Sequence, residues 1–252
     1  MLKIWTIYNL WLLIEFYKLE GWEIIPLFFL YLFKVMEEVI EKLYQIKDTH
    51  QYAWYDTLYN TILELEPKNI IEFGCGGGLT SSLMGTALKN LNNEGFIKSF
   101  DSNIKSIARG KRAIELLNLD NVEFFHYNFF DYEFKDDFDL IYFDIDNTGW
   151  KLIELYNKLK NAGIKNKHII FEGGNEERDS TPQMFHSDMN HPHHELRTCN
   201  CKFTENTLKN SIINVKEYLN YDVLDERFPS LSHFYLSESI LNKKIFDFRK
   251  IL

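Results

Sequence analysis

The chain has 252 residues, of which 45% are hydrophobic and 16% aromatic, and its formal net charge is -9. That much apolar sequence builds a full core for one α/β domain with an appendage, or for two small domains, and it excludes a largely disordered chain. The acidic balance argues against a nucleic-acid partner, because phosphates are bound by a basic face. Cys75, Cys199 and Cys201 are too few for a disulfide framework and point to a reducing, cytoplasmic setting.

The N-terminal stretch 1–50 reads as an apolar helical extension. Its uncharged runs, Ile4 to Ile14 and Ile24 to Phe33, are each about half the ~20 residues a spanning helix needs, so no transmembrane span is expected. Glu15, Lys18, Glu20 and Glu23 separate the runs, Pro26 breaks the second, and no small-residue cleavage site follows. Three readings stay open for it. Packing on the domain or a homodimer face ranks first, ahead of peripheral contact with a membrane and of extra sequence before a start at Met36.

Helices are expected over Val35 to Ile46 and Tyr52 to Leu65, the second stopped by Pro67. Strands and helices then alternate: strand Asn69 to Phe73, helix Leu79 to Leu91, strand Phe96 to Phe100, helix Ile104 to Leu117, strand Val122 to Tyr127, strand Phe138 to Asp144, helix Trp150 to Lys160 and strand His168 to Phe171. Lys105, Arg109, Lys111 and Arg112 read as a solvated face of their helix. Residues 176–206 form a polar, lid-like insertion, Leu208 to Leu219 a helix, and Tyr221 to Phe228 with His233 to Leu236 a closing antiparallel pair. The alternation predicts a three-layer α/β domain over 51–252: a mostly parallel seven-stranded sheet with an antiparallel pair at its edge.

The most informative stretch is Ile70 to Thr80, "IIEFGCGGGLT". Glycines between a strand and a helix let a ligand lie against the backbone at the carboxyl edge of the sheet. A dinucleotide fingerprint, G-x-G-x-x-G, needs glycine at the position of Leu79 and fails. G-x-G-x-G fits at Gly74, Gly76 and Gly78, with Glu72 two residues ahead.

"EFGCGGG" resembles the first motif of the class I S-adenosylmethionine (SAM)-dependent methyltransferases. The resemblance runs from about Tyr52 to Leu236 and implies their Rossmann-like fold. It implies that Glu72 orders the loop and reaches the cofactor's amino group, directly or through water, and that Asp101, ending "FIKSFD", binds both ribose hydroxyls. A carboxylate suits a diol because it accepts from both hydroxyls. Asn128, ending "VEFFHYN", stands where the family has an acid near the adenine, with Phe129 or Phe130 facing the ring. "FDLIYFDID" places Asp144 and Asp146 at the fourth strand end. Trp54 and Tyr55 stand where relatives close an aromatic segment over the sulfonium, with helix-face packing the slightly favoured alternative.

For transfer, Asp144 is the expected catalytic group and also contributes to cofactor binding. Metal-dependent O-methyltransferases carry a Mg²⁺-binding Asp at that strand end and an Asp-Asn pair after the fifth strand. Here Asp144 and Glu172 would be the ligands, but Gly173 replaces the Asn. The segment "FHSDMNHPHHELRTCNC" lacks standard zinc spacing and reads as a lid over the acceptor, with His186 and His191 as candidate bases. The expected activity is methyl transfer to a small molecule, at oxygen ahead of nitrogen. The rivals are an NAD-dependent oxidoreductase or epimerase, and a non-catalytic methyltransferase-like binding subunit.

Overall fold

The computed structural model describes residues 34, 38–39, 41–42, 54–91, 94–135, 137–145, 149–175, 219–227 and 230–237. Nearly all of the N-terminal extension, the insertion 176–206, Asp146 and the helix expected before Leu219 lie outside them. Lys34, Glu38, Val39, Glu41 and Lys42 are helical, and Val39 is buried. Among the described residues, no helix is long and apolar enough to cross a membrane.

In chain order the elements are α1 (Tyr55–Leu65), β1 (Asn69–Phe73), α2 (Leu79–Asn90), β2 (Phe96–Asp101), α3 (Ile104–Leu117), β3 (Val122–His126), a 3-10 turn (Phe129–Asp131), β4 (Leu140–Phe143), α4 (Gly149–Asn161), β5 (Lys167–Glu172), β6 (Asp222–Asp225) and β7 (Leu231–Leu236). The seven strands are ordered β3-β2-β1-β4-β5-β7-β6. β1 to β5 pair in parallel, and β7 runs antiparallel to both β5 and β6. The closing pair exists as expected, with one refinement: β7 is inserted between β5 and β6.

Strand alternation divides the core in two. Ile70, Ile97, Leu140 and Ile170 pack on one face with Leu58 and Ile62 of α1 and Leu83 and Ala87 of α2. Ile71, Phe73, Phe100, Phe143 and Phe171 pack on the other with Leu152, Leu155 and Leu159 of α4. Both faces of the central strands are covered, which is why they read as continuous apolar runs. α3 is capped by Asn103, whose side chain accepts from the Lys105 N–H at 3.0 Å. Asn118 ends it in the left-handed conformation.

Candidate functional site

Four neighbouring strands end in one register. Phe100, Phe73, Phe143 and Phe171 are Cα partners across β2, β1, β4 and β5. One step further along the chain stand Asp101, Gly74, Asp144 and Glu172. The ladder carries on into this row: Gly74 N–H donates to Phe100 O at 2.8 Å, and Asp144 N–H to Phe73 O at 2.9 Å. The carboxyl edge thus presents three carboxylates with a glycine among them. Such a row favours a cationic ligand.

Gly74 is fixed by space as well as by conformation. Its φ is +90°, and a Cβ there would stand 1.8 Å from Asp144 O. Gly76, with φ +52°, has nothing within 4 Å of a built Cβ. At the crown of the loop the backbone is bare and faces open space, which is the form of a cradle.

The loop is held from below. Glu72 Oε1 accepts from Thr80 at 2.5 Å, and Oε2 accepts from Ser99 at 2.5 Å and from Ser81. Its carboxyl is pushed up to about 7 by burial, against the lowering pull of the three hydroxyls, and nearby Asp144 raises it further. The carboxylate therefore ties β1, β2 and the first turn of α2 together. Glu72 itself is 0% exposed and enclosed by protein.

Asp101 is half-buried and faces the loop. Its Oδ2 accepts from Gly76 N–H at 3.1 Å and, at 3.6 Å, from the Cys75 thiol; its Oδ1 accepts from Asn103 N–H at 2.7 Å. These donors orient the carboxylate and leave acceptor capacity on Oδ1. The Cys75 thiol is pushed well up by burial and by the Glu72 and Asp101 carboxylates, so it stays protonated.

Past β3, Asn128 is exposed and its Oδ1 accepts from Phe130 N–H at 3.1 Å, opening the 3-10 turn. Phe129 does not face the edge. It is 4% exposed and packs edge-on against Phe73 and Phe143 at 5.1 Å each, whereas Phe130 is 41% exposed. Trp54 and Tyr55 are buried as well, packed on each other, with Trp54 against Tyr142. For these three aromatics the structure shows core packing, because α1 lays the Trp54 and Tyr55 rings onto the sheet and the 3-10 turn does the same for Phe129.

Asp144 and Glu172 sit side by side through the β4–β5 register, Asp144 half-buried and Glu172 buried. Among the described residues, no three His, Cys, Asp or Glu side chains gather as a metal site requires. A Mg²⁺ ion takes six oxygens and usually keeps several waters beside one or two carboxylates, and Asp144 and Glu172 are the carboxylates that would hold one here. His186 and His191 lie outside the described residues. Gly173 and Gly174 follow Glu172 at positive φ, tied to β7 by Gly173 N–H to Ser230 O and by the Ser232 hydroxyl to Gly173 O at 2.7 Å.

Two features escape sequence reading. Lys151, in the first turn of α4, is only 8% exposed. Buried lysines are rare, but nothing in its spacing distinguishes it from a surface lysine. Ile104 opens α3 just past Asp101 and is 59% exposed. With Tyr127 and Phe130 it gives the β2–β3 end of the edge an apolar character.

Comparison with known proteins is consistent with this geometry. No curated protein matches by sequence. The SAH-bound methyltransferase of Podospora anserina is similar in structure at 16% identity, with a TM-score of 0.60, covering 81% of this chain and 88% of that one. A putative O-methyltransferase of Klebsiella pneumoniae gives 14% identity and a TM-score of 0.55, covering 81% and 90%. The SAM-bound O-methyltransferase TomG of Streptomyces achromogenes, involved in tomaymycin synthesis, gives 11% and 0.53, covering 80% and 89%. The family model described as "Methyltransferase domain" matches residues 65–222. Spanning well over half of the chain, that match makes it a member of the methyltransferase-domain family, with the Rossmann-like fold of the class I SAM-dependent methyltransferases.

Proposed function

We propose that the chain transfers a methyl group from SAM to a small-molecule acceptor, at oxygen ahead of nitrogen. The observation that carries this is the row Asp101–Gly74–Asp144–Glu172 beside the bare crown at Gly76. It offers a cationic, ribose-bearing ligand both a backbone cradle and carboxylates. SAM supplies an electrophilic methyl on a sulfonium sulfur.

The chain's own groups divide the remaining work. Glu72 holds the loop from beneath through its three hydroxyl partners. Asp101 accepts from the ribose hydroxyls, already aimed by Gly76 and Asn103. Asn128 offers its amide to the purine. Asp144 stands next to the loop where the acceptor must approach in line, and takes the acceptor's proton. His186 and His191 remain candidate bases from the insertion 176–206, and residues 1–50 an extension that packs on the domain, Val39 joining its core cluster, or through which a homodimer or a membrane surface would be contacted. The three-cysteine count favours the cytoplasm.

None of these roles is assigned to a metal. Calorimetric titration with S-adenosylhomocysteine (SAH), with and without Mg²⁺, tests the reading, followed by SAH release from SAM over a panel of small phenols, acids and amines. Binding without metal and turnover on an oxygen acceptor are expected. Absence of binding in both conditions would leave a non-catalytic binding subunit as the better reading.

A further inference from the structure

Lys158 projects from α4 to the turn that follows β3. Its ammonium donates to Phe130 O at 2.6 Å and to Tyr132 O at 3.2 Å. It also stands 5.6 Å above the centre of the Phe129 ring. One cation thus grips the segment from Phe129 to Tyr132 at three points. Charge-assisted hydrogen bonds of this kind are among the stronger side-chain ties, and the ring contact adds to them.

The grip reaches further. Asn128 opens the same turn, with its Oδ1 on Phe130 N–H and its own carbonyl accepting from Asp131 N–H at 3.1 Å. Phe129 in turn leans on Phe73 and Phe143, the last residues before Gly74 and Asp144. A helix on the opposite sheet face from the glycine-loop helix therefore sets the turn's height against the carboxyl edge. The turn is short, and Asn128 and Phe130 are exposed, so it is held from beneath, by the buried Phe129 and Tyr132 rings and by the Lys158 tie.

We infer that Lys158 is a positioning residue for the purine end of the cofactor, acting through the Asn128–Tyr132 turn. This rests on the SAM reading above. Without Lys158 the Phe130 and Tyr132 carbonyls lose a fixed donor, the turn relaxes, and Asn128 and Phe130 are no longer held at the edge. The ribose and methionine ends, held by Asp101 and the glycine loop, are left in place.

The test compares SAH with S-ribosylhomocysteine, the same molecule without its purine, on wild type, Lys158→Met, Lys158→Gln and Lys158→Arg. SAH is expected to bind Lys158→Met about tenfold more weakly than wild type, a loss in keeping with charge-assisted bonds. Lys158→Gln falls between, and Lys158→Arg, whose fork can serve two carbonyls, stays within about threefold. S-ribosylhomocysteine affinity does not change across the series. Unchanged SAH affinity in folded Lys158→Met or Lys158→Gln overturns the inference, and so does an equal loss for both ligands, which would mark a merely structural lysine. Wild-type protein that binds no SAH would overturn the SAM reading itself, and this inference with it.

Discussion

The two ends of the carboxyl edge are built by different means. On the β1–β2 side, backbone conformation and backbone donors dominate: Gly74, Gly76 and Gly78 all have positive φ, and Asp101 takes its donors from the Gly76 and Asn103 N–H groups. On the β5–β7–β6 side, distant side chains tie the edge together. Arg227 lies just after β6 and donates to Asp56 at 2.6 Å and to Asp225 at 2.5 Å, while the Thr57 hydroxyl donates to Asp225 at 2.6 Å. Burial alone would raise the Asp225 carboxyl, but these donors hold it below the usual range. The first side is specified mainly by the backbone conformation of the glycine loop, to which β2 adds Asp101 and Ser99. The second depends on residues that meet only after the sheet has formed, and it leaves more room for an acceptor site to vary.

The sharpest way to break that contrast is within the loop. Gly74→Ala drives a methyl into the Asp144 carbonyl, and should cost about 3 kcal/mol or more of stability. Gly76→Ala meets no atom, and should cost only the left-handed conformation, about 1 kcal/mol. Denaturant unfolding of the two variants checks this, and equal losses would mean that conformation alone rules the loop. Asp101→Ala comes next: SAH affinity should fall about a hundredfold, as expected when charge-assisted bonds are lost, with little change in melting temperature.

Arg227→Met tests the other side. It leaves the Asp225 side chain, 8% exposed, without its cation. About 1–2 kcal/mol of stability should go, because Arg227 itself is partly exposed and the pair is screened. SAH affinity should hold within about twofold, and a large loss would show that the two sides are mechanically coupled.

The smallest effect concerns pH. Glu72 titrates at about 7 in the folded protein against an ordinary 4.5, so between those values the folded state binds the extra proton. That contribution is full below pH 4.5 and is lost as pH rises through about 7. Glu72→Gln should therefore show a shallower fall in melting temperature from pH 5 to pH 8 than wild type. Parallel curves would mean that the carboxylate is already ionised in the folded chain.

Much of the cofactor side is legible in the amino-acid order. Strand endings and glycine spacing follow from periodicity and turn chemistry, which are local, whereas the acids at Glu72, Asp101 and Asp144 stand out through the resemblance to the class I SAM-dependent methyltransferases. Phe129, Trp54 and Tyr55 are ambiguous in the sequence, because an aromatic residue reads the same whether it faces a ligand or a core. Their placement depends on which sheet face a neighbouring element covers. Lys151 and Lys158 are silent for the same reason, since nothing in one helix's spacing says where a long side chain lands on a neighbouring element.

The sequence by itself determined the element order, the parallel sheet and the glycine loop, since φ preference and hydrophobic period act over a few residues. Tertiary structure alone decided that Ser99 of β2 donates to Glu72 and that β7 enters between β5 and β6. It also decided that Arg227 meets Asp56 and that Lys158 grips the turn after β3. Each is a contact between segments far apart in the chain, formed when burial removes water and leaves polar groups only each other.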